Sequence, residues 1–97
     1  MNSEIFDKWQ QLDRKMREFI ELITPSINNV IEHKIVEPKI IEYYLDILLD
    51  FRTEESVELF VRLCSYYETI SYENAEFYWN LFYDTLEHDE SYNQKNR

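Results

Sequence analysis

Glu42, Asp46 and Asp50 stand four residues apart, so on a helix of about 3.6 residues per turn they fall in one row. Carboxylates in such a row can hold a divalent cation, and two that share a proton raise one pKa toward the range of a general acid. Either use needs partner ligands from other elements. A di-iron helical bundle draws on Glu-x-x-His from paired helices, and neither His33 nor His88 has a Glu three residues before it. The row therefore reads as a polar face. Like charges at this spacing cost about 0.2 to 0.5 kcal/mol per pair. Lys39 on the same face, or Lys8, Arg14, Lys15 and Arg17 near the start of the chain, are the expected internal compensation, with a basic partner as the external one.

The remaining reactive side chains are few. His33 and His88 fall near expected helix C-termini, where an imidazolium favours the negative end of the dipole. Cys64 is the only cysteine, so it forms no internal disulfide, and it reads as a small hydrophobe on an inward helix face. The chain has no Gly. That removes the phosphate-binding loop, the dinucleotide turn and the nucleophile elbow, each of which needs backbone that only Gly supplies cheaply. No Ser, His and Asp combination suggests itself. The expectation is a protein without enzymatic activity, metal or cofactor.

The elements that position these groups follow from periodicity. Sheets call on Gly or Asn-Gly at their tight turns; 97 residues with no Gly and two Pro point instead to an all-α chain. The expected architecture is a compact antiparallel bundle of about five helices, at 4–23, 25–36, 39–51, 54–70 and 72–87. Ile5, Trp9, Leu12, Met16, Phe19 and Ile23 step by four and three along the first, behind a Ser3 cap. Asp13 with Arg17, and Arg14 with Glu18, are spaced to pair on its solvent face. Thr24 and Pro25 then stop that helix and start the next, and Pro38 separates the second from the third. The third, apolar around most of its circumference, is the expected centre. Thr53 and Ser71 cap the last two, and Val57, Phe60, Leu63, Cys64 and Tyr67 face inward from the fourth. Residues 1–90 read as one domain, with 91–97 as a frayed tail. The segments beginning at Glu42, Glu58 and Glu76 share a pattern of Glu, three apolar, one polar and two apolar residues. A two-helix repeat would show this, and so would any three amphipathic helices.

Charge and aromatic content then suggest a role. Twenty Asp and Glu against ten Lys and Arg give a net charge of −10, which opposes direct binding to nucleic acid or to an anionic membrane. No apolar run approaches a membrane span and no leader pattern opens the chain, so a cytoplasmic location is expected. Residues 51–90 hold ten acids and two bases, a net of −8. Within them, Ala75, Tyr78, Trp79, Phe82 and Leu86 share one helical face and read as core. Phe77 and Leu81 fall outside it, beside Glu73 and Asp84. Either another helix covers them or they form an apolar patch with an acidic rim, and aromatics ringed by charge combine an anchor with electrostatic steering. The expected partner-binding residues are Tyr66, Tyr67, Tyr72, Glu73, Glu76, Phe77, Leu81 and Asp84. The function expected from them is that of a small acidic protein-binding module, of inhibitor or immunity type, neutralising a basic protein. The alternative is a structural or adaptor subunit that self-associates, as a homodimer, or docks through the 4–23 helix.

Overall fold

The computed structural model describes the backbone of residues 2–51 and 53–95, and the side chains of residues 5, 7–51 and 53–85. Among them the chain is all-helical, with four helices in place of the expected five: α1 (Asn2–Glu32), α2 (Pro38–Asp50), α3 (Glu54–Glu68) and α4 (Tyr72–Lys95).

The expected 4–23 and 25–36 helices are one, and Pro25 lies inside it. A mid-helix proline removes a hydrogen bond to the carbonyl four residues back and costs roughly 3 kcal/mol. Two features offset this. Pro25 and Glu21 lie on the exposed side of α1, the side on which helix carbonyls tilt out toward water. Ile20, Ile27 and Val30 are all buried in the core, at spacings that a single unbroken helix keeps on one face, and each such side chain contributes about 1.5 to 3 kcal/mol on burial. Thr24, expected to cap a new helix, instead donates its hydroxyl to the Ile20 carbonyl at 2.6 Å. Ser3 likewise falls inside α1 rather than ahead of it.

α1 stops at Glu32 through a left-handed turn. Lys34 has φ 52°, its N–H bonds to Ile31 O at 3.2 Å, and the Ile35 N–H bonds to Val30 O at 3.0 Å. This is the Schellman arrangement, in which glycine is the usual left-handed residue; a glycine-free chain uses lysine. Pro38 then opens α2 at its first position, as expected.

The centre of the fold is α3, not the 39–51 helix. α3 packs against α1, α2 and α4, and Leu59, Phe60, Leu63, Cys64 and Tyr67 are buried along it. α2 buries Ile41, Leu45 and Leu48 but leaves Ile40 and Tyr43 exposed. Topology explains the difference: the three-residue connections on either side of α3 hold α2 and α4 against its flanks. Val57, expected inward, lies at the surface, and Leu59 takes its place in the core. Thr53 caps α3 as expected, in a reciprocal box with Ser56: the Ser56 N–H donates to Thr53 Oγ1 and the Thr53 N–H to Ser56 Oγ, both at 3.1 Å. Ser71 stands before α4, with the Asn74 N–H reaching its Oγ at 3.4 Å. α4 continues to Lys95, eight residues past the expected end; residues 96 and 97 lie outside the described residues.

The stripe of α1 divides in two. Its C-terminal part docks on the core, whereas Ile5, Trp9, Leu12 and Phe19 are exposed, Trp9 to 67%. Phe19 meets the ring of Phe51 at 5.5 Å, close to where burial begins. On the solvent side Arg17 Nε pairs with Asp13 at 3.1 Å, as expected. The three similar segments are not equivalent in the fold. Their second positions, Tyr43, Leu59 and Phe77, are exposed, buried and exposed respectively. Among the described residues no helix is long and apolar enough to cross a membrane.

Candidate protein-binding surface

α4 turns its residues around the helix by about 100° each. Ala75 and Tyr78 are buried, with Trp79 and Phe82 packed on the same core, as the expected inward face requires; the side chain of Leu86 lies outside the described residues. A ladder of rings carries this packing outward. Phe60 of α3 stacks on Phe82 at 4.8 Å and meets Trp79 edge-on at 5.8 Å, and Trp79 stacks in turn on the exposed Tyr83 at 6.2 Å. The indole N–H of Trp79 donates to Glu68 Oε2 at 2.6 Å, which ties the end of α3 to α4. Between them runs a groove of about 320 Å³, lined by Glu68, Tyr72, Glu76, Trp79, Asn80 and Tyr83.

The expected partner-binding residues do not form one patch. Tyr72, 66% exposed, and Glu76 border the groove. Phe77 and Leu81 are exposed to 59% and 37%, and the Phe77 ring meets that of Tyr78 edge-on at 5.4 Å. They sit on a different edge of α4, since nine residues turn a helix by about 180° between Tyr72 and Leu81. Glu73 and Asp84, both exposed, lie between the two edges. Tyr67 is a correction: it is fully buried in the core and presents nothing to a partner. Tyr66 is half-buried, and its hydroxyl donates to Ile35 O at 2.7 Å, which spends it on fastening α3 to the segment between α1 and α2. Glu68, Trp79, Asn80 and Tyr83 were not among the expected residues. Their signal is present, because Tyr72, Glu76, Trp79 and Tyr83 step by four, three and four along the chain.

The acidic row of α2 has a different compensation from the one expected. Tyr67 donates its hydroxyl to Glu42 Oε2 at 2.6 Å and accepts from Asn74 Nδ2 at 3.2 Å, and Tyr78 donates to Asp46 Oδ1 at 2.9 Å. Among the described residues the row forms no ion pair with Lys39 or with the bases of α1. Burial first, and the bond to Glu42 second, push the Tyr67 phenol up to about 12. Burial and the Asp46 contact push Tyr78 upward as well. Both phenols therefore stay neutral donors, and bonds of this charge-assisted kind are stronger than neutral ones. They hold α2 to α3 and α4.

Cys64 is buried, its thiol directed at Ala75 O at 3.5 Å; burial, with Glu68 nearby, raises it to about 12, so it is a protonated core side chain rather than a nucleophile. His33 is exposed at the end of α1, its Nδ1 donating to Asn29 O at 3.2 Å. The side chain of His88 lies outside the described residues. Among the described residues no three of His, Cys, Asp or Glu converge as a metal site would require. No family model, no curated protein and no solved structure matches the chain.

Proposed function

We propose that this chain is a protein-binding module of inhibitor or immunity type, whose α3–α4 surface neutralises a basic protein partner. The observation that carries the reading is the coincidence of uncovered rings with unrelieved negative charge. Tyr72, Phe77 and Tyr83 are exposed along α4, and no Lys or Arg stands between Arg62 and Lys95. Aromatic anchors supply desolvated contact while the surrounding acids steer a cationic partner and reject an anionic one. The groove beside Trp79 gives one such anchor a place to enter. No catalytic step is part of this reading.

The test is capture from native lysate at low and moderate salt, beside a titration with a synthetic cationic amphipathic peptide built of Lys, Leu and Trp. A Glu73→Lys, Phe77→Ala, Asp84→Lys variant, checked for unchanged helicity, is the control. Recovery of a basic protein by the wild type alone, with peptide binding that weakens in the variant, is the expected result. Equal capture by both, with no peptide binding, removes the surface from consideration. A second reading, that of an adaptor docking through α1, is favoured by the uncovered Ile5, Trp9 and Leu12.

A further inference from the structure

The exposed stretch of α1 and the exposed side of α4 have opposite character. The 5–19 stretch holds four bases and three acids, Asp7, Asp13 and Glu18, and Asp13 is paired with Arg17. By helical phase Lys8 and Lys15 flank the stripe of Ile5, Trp9 and Leu12 on one side. The edge of the stripe is thus cationic, while Asp7 and Glu18 fall by phase on the opposite side of the helix. The α3–α4 surface is its complement, with rings at the groove, acids around them and no base for more than thirty residues of chain, from Arg62 to Lys95. Within one molecule neither surface covers the other, since both stay exposed.

We infer that they meet between copies: the 5–19 stretch of α1 from one molecule lies along the α3–α4 groove of a second, with Trp9 among Tyr72, Trp79 and Tyr83, and with Lys8 and Lys15 toward Glu73 and Glu76. This rests on the reading of that surface as a receptor for cationic protein segments, and it names a second copy as the occupant. Two other pairings are opposed by features already described. Antiparallel pairing of two α1 stripes sets Lys8 of one copy beside Lys15 of the other. Parallel pairing forces both copies of α3, which covers α1 from Ile20 onward, into the space between the two helices. A contact between unlike patches closes as a dimer when the two copies exchange it reciprocally.

Sedimentation equilibrium on the full chain tests this with two charge reversals, Lys8→Glu with Lys15→Glu, and Glu73→Lys with Glu76→Lys. All four side chains are exposed, and circular dichroism verifies that each variant folds. The wild type is expected to associate, weakened about tenfold or more on passing from low salt to about 0.5 M. Each variant alone is expected to be monomeric, because its arm and its receptor then carry the same sign. An equal mixture of the two is expected to associate again, since each arm meets a receptor of opposite charge. A wild type that stays monomeric, or reversals that associate as the wild type does, overturns the inference. If in those cases the Lys, Leu and Trp peptide binds the wild type and not the Glu73→Lys, Glu76→Lys variant, the receptor reading survives and only the second copy is excluded. If the peptide also fails to bind, both fall.

Discussion

The apolar stripe of α1 and the acidic row of α2 are both laid out at helical spacing, and the fold treats them in opposite ways. Ile20, Ile27 and Val30 are enclosed while Ile5, Trp9 and Leu12 on the same face are left in water. Glu42 and Asp46, charged and partly exposed, are instead each gripped by a tyrosine from another helix. Apolar character did not secure cover, and charge did not prevent attachment. What decides is where α3 ends: the stripe of α1 is covered only as far as α3 reaches, and the row of α2 lies within reach of the hydroxyls of Tyr67 and Tyr78.

The sharpest way to break this contrast is to truncate one residue from each half of α1. Ile27→Ala is expected to cost about 2 to 5 kcal/mol in urea unfolding, whereas Leu12→Ala in dilute protein should stay within about 0.5 kcal/mol of the wild type. Equal losses would mean that the outer half is packed too. Next in size is Pro25→Ala, which returns an N–H to the helix and is expected to gain about 1 to 3 kcal/mol; a loss on thermal melting would show that the two halves of α1 are separate helices. Tyr78→Phe should cost about 1 to 2 kcal/mol. A double-mutant cycle with Asp46→Asn checks this, since the second substitution should add little once the hydroxyl is gone. A further effect is on pH. Tyr67 is held up to about 12 in the fold, against about 10 in an unfolded chain. Its neutral form is the one the fold favours, so its contribution is whole below about pH 10 and is lost as pH rises toward 12. Melting curves across that window should fall less steeply in Tyr67→Phe.

What could be read from the residues was local. The Thr53 cap, Pro38 at the start of α2 and the inward Ala75 and Tyr78 of α4 each depend on neighbours within a turn or two. The continuity of α1 through Pro25 was not legible, because a local rule against mid-helix proline was outweighed by burial on α3. Nor were the tyrosine contacts, which span 25 residues from Glu42 to Tyr67 and 32 from Asp46 to Tyr78. At the candidate surface, the exposure of Phe77 and Leu81 follows from their phase on the helix. The groove residues Trp79 and Tyr83 were obscured for the opposite reason: in a segment this rich in rings, one stripe hides among the others.

Trp79, packed on Phe60 and bonded to Glu68, shares the chain with just one other tryptophan, Trp9. The two indoles thus stand one on each candidate surface, the first in a ring-lined, carboxylate-bonded setting and the second in water. The protein carries its own pair of fluorophores. With Trp9→Phe the emission reports the groove alone, and with Trp79→Phe it reports the arm of α1, so occupation of either surface can be followed by colour without a label.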